Sequence, residues 1–156
     1  MIKKWFDYDP FKDRMKVSGG IILILNKSKM LLVHPTKAKW YETYSVPKGG
    51  VNEGESEIDA AIRELQEETS LVVTKDMITN PKDPIIIEYQ NKQGKKYKKL
   101  VLFTVYINNI DEIGMTSETM DKGKLQLKEV DWCGFLDKKE AQLRIFHRMY
   151  SLLDLI

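Results

Sequence analysis

The chain has 156 residues, with 25 Lys plus Arg against 23 Asp plus Glu, a formal net charge of +2. That length fits a single domain, 1–156, which can bury enough surface to fold without a disulfide or metal staple. The 5 Phe, 7 Tyr and 3 Trp exclude a disordered chain, and the near-balanced charge excludes a strongly basic nucleic-acid coat protein.

In chain order, Met1 to Phe6 carries two lysines with no apolar run behind them, so no secretory signal is read there. Asp7 to Asp13 (DYDPFKD) reads as an irregular arm with no assigned role. Lys16 to Leu25 (KVSGGIILIL) is rich in β-branched residues and predicts a buried strand. Its run Ile21 to Leu25 is the longest apolar stretch and is too short to span a bilayer. Asn26 to Lys29 is turn-like, Met30 to Val33 reads as the return strand, and Thr36 to Tyr44 is a polar and aromatic loop. Ile85 to Tyr89 and Leu100 to Ile107 predict strands on either side of a turn, Asn91-Lys92-Gln93-Gly94. Val130 to Phe135 predicts one more short strand. The apolar spacing from Lys138 to Leu155 predicts one amphipathic helix. These elements predict an α/β fold, a mixed sheet covered by helices. The single cysteine, Cys133, excludes an internal disulfide and fits a reducing compartment, so the expected location is the cytoplasm, with no membrane partner.

The chemistry concentrates between Pro47 and Leu71, PKGGVNEGESEIDAAIRELQEETSL. Gly49, Gly50 and Gly54 permit tight turns and close approach of a ligand to the backbone. Ser56 reads as a helix N-cap with Asp59 three residues on, and the helix is expected from Glu57 to Thr69. Ile58, Ala61, Ile62 and Leu65 fall on one side of it, facing the sheet. Glu64 and Glu68 lie one turn apart, with Glu67 three residues from Glu64, and like charges at that spacing repel. A solvated acidic face explains such a helix. A divalent cation explains it too, because carboxylate oxygens are the ligands that Mg²⁺ and Mn²⁺ accept alongside substrate phosphates. The glycine loop at fixed spacing favours the second explanation. Gly49, Glu55, Arg63, Glu64, Glu67 and Glu68 follow G-x5-E-x7-R-E-x-x-E-E. At roughly 6% usage per residue type, six matched positions arise by chance on the order of 10⁻⁵ of the time in such a chain.

This pattern resembles the Nudix box, and the flanking strands resemble the Nudix fold, an α/β/α sandwich. Ser70 departs from the box, standing where the family has a glycine that looks like a left-handed helix cap. Ser reaches that shape at a cost of roughly 1 kcal/mol. The resemblance implies hydrolysis of a nucleoside diphosphate linked to another group, with Mg²⁺ or Mn²⁺ as cofactor. It implies that Glu64, Glu67 and Glu68 bind the metal together with the carbonyl of Lys48. Arg63 would orient the glutamates, and Glu55 would support the loop or bind a further metal. Candidate general bases are Glu67 and a glutamate on the loop before the last strand, such as Glu118.

Trp40, Ser45-Val46 and Pro47-Lys48-Gly49 resemble the entry to the box in diadenosine tetraphosphate hydrolases. Lys48, with Gly49 and Gly50, would then contact substrate phosphates; an exposed loop lysine is the plain alternative. Tyr89 stands where that subfamily stacks a tyrosine on a base, and an ordinary strand aromatic is equally in keeping. Lys92, Lys95, Lys96, Lys98 and Lys99 crowd one hairpin, either a solvated tip or a surface for a highly phosphorylated ligand. His34 and His147 are too few and too far apart to suggest zinc. Trp132 and Phe135 are expected in the core, and Trp40 and Tyr41 are placed to line a base pocket. The expected partner is a small phosphorylated molecule. A dinucleoside polyphosphate leads, with diphosphoinositol polyphosphates and RNA 5′ ends as alternatives. A non-catalytic nucleotide-binding module is the reading from another class.

Overall fold

The unbroken apolar run of the first strand follows from burial on both faces. In a computed structural model that describes residues 15–156, β1 (Lys16–Leu25) sends Ile21, Leu23 and Leu25 into one core and Ile22 and Ile24 into another. The Asp7 to Asp13 arm lies outside the described residues. The turn after β1 places Asn26 and Lys27 at φ 52 and 59, the left-handed pair that matches strand twist in a tight hairpin. The chain returns as β2 (Lys29–Pro35). Then come β3 (Lys48–Gly50), α1 (Glu57–Thr69), β4 (Ile85–Gln90), β5 (Lys96–Ile107), β6 (Val130–Asp137) and α2 (Lys138–Arg144).

The sheet order is β4-β5-β1-β2-β6, with β3 beside β1. β1 and β5 run parallel from Lys16↔Lys98 to Leu25↔Ile107, and the other pairs are antiparallel, so the sheet is mixed, as expected. Helix α1 covers one face, packing Ala61 and Leu65 on Ile21, Phe103 and Val105. The other face is covered by α2 and the C-terminal segment through Ala141, Ile145, Met149, Leu152 and Leu153. This is the expected α/β/α sandwich. Gly19 allows the close approach of α1, because a Cβ there would sit 2.6 Å from the Glu57 carbonyl oxygen.

Two elements differ from the sequence expectation. Strand β3 is Lys-Gly-Gly, with no alternation to read; its pairing with Ser18, Gly19 and Gly20 is imposed by the fold. The expected helix over Lys138 to Leu155 stops at Arg144. Ile145 and Phe146 are extended, and the Phe146 amide donates to the Tyr44 carbonyl at 2.8 Å. A 3-10 helix, His147–Leu155, follows. Both halves face the same core, so the apolar spacing carries no mark of the break. Among the described residues, no helix is long and apolar enough to cross a membrane.

Candidate metal centre

Helix α1 begins and ends on local signals. The Ser56 side chain accepts from the Asp59 amide at 3.1 Å. Ser70 takes the left-handed conformation, φ 65, where a glycine was the residue to expect. Its hydroxyl donates to the Lys124 carbonyl at 2.6 Å, a bond that no glycine can make. Between these caps the helix turns Ala60, Ala61, Leu65, Thr69 and also Glu68 inward, and Glu68 is only 4% exposed.

Glu68 is not alone. Carboxylate oxygens of Glu64, Glu68 and Glu129 lie within 4.8 Å of one another. Burial, then the charges of Glu64 and Glu129, raise the Glu68 carboxyl from its ordinary value near 4.5 to about 8, against the opposing charge and amide of Lys48. Burial raises Glu64 as well, with the Arg63 guanidinium opposing. Among the described residues, no ion pair neutralises Glu68 or Glu129. Three converging carboxylates, one of them buried without an ion-pair partner, fit a hard divalent cation such as Mg²⁺ or Mn²⁺. A cavity of about 190 Å³ opens beside them, lined by Val33, Ser45, Lys48, Glu68, Glu129 and Val130.

Glu129 is the member that the sequence expectation missed. The loop before the last strand was the expected source of a glutamate, but Glu118 bonds Lys29 at 2.6 Å. It sits near Phe135, about 17 Å along β6 from Val130. Glu129 abuts the start of that strand and is positioned from α1, since the Gln126 amide donates to the Glu68 carbonyl at 2.9 Å. An acidic residue at the first position before β6 was the available signal.

Arg63 ties the loop to the helix. Its Nε and Nη2 donate to the two oxygens of Glu55 at 2.9 Å each, Nη1 reaches Glu64 and Glu67 at 2.9 and 3.1 Å, and Nη2 reaches the Gly50 carbonyl at 2.8 Å. The pairing with Arg63 and the Asn52 amide holds the Glu55 carboxyl down at about 2. Both Glu55 oxygens are spent in this way. Glu55 stands outside the carboxylate cluster. Glu67 also stands outside that cluster, with its side chain 56% exposed and leaning on Arg63. Gly49 lets the loop pass against Glu64, since a Cβ there would lie 2.0 Å from the Glu64 Cδ. Arg63→Lys keeps the charge and loses the forked bonds. Calorimetric titration with Mn²⁺ is expected to show affinity about tenfold to a hundredfold weaker.

A basic cavity of about 500 Å³ lies beyond Gly50, lined by Lys16, Ser18, Val51 and Lys98 among others. Burial and the neighbouring ammonium groups of Lys48 and Lys16 lower the pKa of Lys98. Of the hairpin lysines only Lys98 turns toward this cavity, while Lys96 pairs with Glu88 at 3.1 Å. Tyr89 is a correction. Its side chain takes the inward parity of β4 and is 7% exposed. The Arg148 guanidinium lies 4.7 Å from its ring centre, and Tyr97 and Phe146 stand at its edges. A ring so covered is core and has no free face for a base.

A family model described as a NUDIX domain matches residues 15–148. The m7GpppN-mRNA hydrolase of Saccharomyces cerevisiae is 35% identical over 91 residues, 58% of this chain and 9% of that protein. An RNA pyrophosphohydrolase of Ruthia magnifica is 40% identical over 56 residues, 36% of this chain and 30% of that protein. The chain thus spans less than a third of either relative. The crystal structure of a C. elegans Ap4A hydrolase binary complex superposes with a TM-score of 0.62 at 25% identity, covering 90% of this chain and 94% of that one.

Proposed function

The chain belongs to the NUDIX family, and on that premise we propose that it is a divalent-metal-dependent pyrophosphohydrolase of nucleoside diphosphate-linked substrates, a dinucleoside polyphosphate such as diadenosine tetraphosphate first among them. The observation that carries this reading is the juxtaposition of Glu64, Glu68 and Glu129 with Lys48, next to a cavity lined by Lys16 and Lys98. Opposite charges of this kind, side by side, suit a substrate bridged through a metal to the carboxylates and reaching the lysines with its remaining phosphates. The structural likeness to the Ap4A hydrolase supports the same substrate class.

Glu64, Glu68 and Glu129 would hold the ion, with the Lys48 backbone beside them. When bound, Mg²⁺ or Mn²⁺ supplies charge neutralisation at phosphate oxygens and acidifies water. The chain's own residues do the rest. Arg63 fixes the rotamers of Glu64 and Glu67, so little ordering is left for the reaction itself. Glu67 is exposed, with one oxygen engaged by Arg63, and in this reading its other oxygen would take the proton of the attacking water. As the water oxygen bonds to phosphorus, the bridging P–O bond breaks and the departing phosphate carries the electron pair. Lys48, Lys16 and Lys98 offset the charge of the flanking phosphates.

The names of the two RNA-acting relatives support a second substrate, a triphosphorylated or capped RNA 5′ end. One panel separates the readings. Purified protein with Mn²⁺ is offered diadenosine polyphosphates, nucleoside triphosphates, ADP-ribose, NADH, diphosphoinositols and 5′-triphosphate RNA. Preferred cleavage of diadenosine tetraphosphate is the expected result, and preferred cleavage of RNA overturns the substrate. An intact panel with one tightly bound member overturns the enzyme in favour of a binding module. Lys98→Ala is expected to raise the Michaelis constant for the tetraphosphate about tenfold, the worth of one charge-assisted bond, and to leave that for ADP-ribose much less affected.

A further inference from the structure

We propose that the groove between Trp40 and Trp132 is a nucleobase-binding site, separate from the carboxylate centre. The two sites lie on opposite faces of the sheet. Val33 and Val130 line the carboxylate cavity and join the core beneath α1. His34 follows Val33 on β2 and so has the opposite parity; its partner Trp132, offset from Val130 by a bulge at Asp131, packs on the core beneath α2. The groove measures about 300 Å³ and is lined by Trp40, Tyr44, Trp132, Leu136, Glu140 and Arg144. That is the lower end of the size range of small-ligand sites.

Trp40 is held rigidly although it is exposed. Its ring stacks on His34 at 3.9 Å with planes 2° apart. His34 is 1% exposed. Its Nδ1 faces the Asp131 carboxylate at 2.5 Å, and its Nε2 faces the carbonyls of Ala38 and Lys39 at 3.1 and 3.0 Å. The imidazole therefore cannot turn, and one indole face is fixed against it. Trp40 as a whole nevertheless remains 50% exposed. The Tyr44 ring centre lies 6.3 and 5.7 Å from those of Trp40 and Trp132, tilted by 60° and 53°, and lines the groove with them.

The rim selects a heterocycle over a plain apolar group. Arg144 is anchored to the Trp40 carbonyl at 3.0 Å and lies over the rings of Tyr41 and Tyr44. Glu140, one turn away, pairs with the Arg144 Nε at 3.4 Å and keeps its side chain half exposed. A donor and an acceptor beside a preformed aromatic wall match the edge and the face of a base. A base stacking there would cover the indole face that the fold leaves in water.

The test uses nucleosides without phosphate, in EDTA, so that neither the carboxylates nor the lysines contribute. Adenosine, guanosine, cytidine and uridine are titrated into the ¹⁵N-labelled protein while the indole N–H signals of Trp40 and Trp132 are followed. Saturating shifts at millimolar purine nucleoside are expected. Trp40→Ala should weaken binding at least tenfold, and Trp40→Phe, which keeps a stackable ring, should restore most of it. Glu68→Gln should bind as wild type does, which keeps this result apart from the fate of the hydrolase reading. Absence of saturable shifts, or binding indifferent to Trp40→Ala, overturns the proposal.

Discussion

Glu68→Gln is expected to lower turnover by about 10³-fold and, at the same time, to make the metal-free protein more stable above neutral pH. The first effect follows from removing a charged ligand from the centre of the carboxylate cluster, a loss on the order of 4 kcal/mol in transition-state stabilisation. The second follows from the position of that carboxyl. In the unfolded chain it titrates near 4.5, and in the fold it titrates at about 8. Between those values the unfolded state has released a proton that the folded state still holds. Stability of the metal-free protein therefore falls as pH rises through this window and levels off above it, by at most about 5 kcal/mol. Glutamine has no proton to lose, so the variant lacks this decline. Urea midpoints measured in EDTA across the window decide the matter. Mn²⁺ should recover the stability of wild type at the alkaline end and do little for the variant. Parallel midpoint curves for the two proteins would remove the buried-charge account of the site.

Gly49→Ala is expected to cost about 10²-fold in kcat/KM with the fold intact. The added carbon would lie 2.0 Å from the Glu64 Cδ and 2.1 and 2.4 Å from its oxygens. Only that carboxylate can yield, because the three nearest atoms all belong to the Glu64 side chain and none to the backbone. The displaced group leaves Glu68 and Glu129 as a two-carboxylate remnant, so Mn²⁺ affinity should fall at least about tenfold. Gly50→Ala is the informative comparison, since its added carbon meets nothing within 4 Å and should cost far less. Thermal unfolding of both variants in EDTA should stay within about 1 kcal/mol of wild type. A Gly49→Ala protein with wild-type Mn²⁺ affinity would show that Glu64 is free to bind from another rotamer.

The features legible in the sequence are those with local causes. Ser56 and Asp59 mark the start of α1 because capping acts over three residues. The apolar run in β1 reads as a buried strand because both faces are covered. Glu64 and Glu68 are recognisable because one helical turn joins them. Glu129 is not, because it reaches Glu68 only through the loop bonded at Gln126, and no periodicity links the two. Tyr89 fails for the same kind of reason. Its burial depends on strand parity and on Arg148, which arrives from the far end of the chain. The break at Ile145 is a tertiary choice, made so that Phe146 can bond Tyr44, and the local spacing is silent about it.

The seam at the end of α1 has a consequence for timing. Ser70 bonds Lys124 and Gln126 bonds Glu68, so the loop that carries Glu129 is fastened to the last turn of the helix. Helix ends are the first part of a helix to fray. Here a frayed last turn would release the loop and disperse the three carboxylates together. A closed, cation-ready centre and an open, dispersed one are then two states of a single local unfolding equilibrium. A bound cation draws on its binding energy to hold the helix end shut, and each departure of the ion is an occasion for that turn to open.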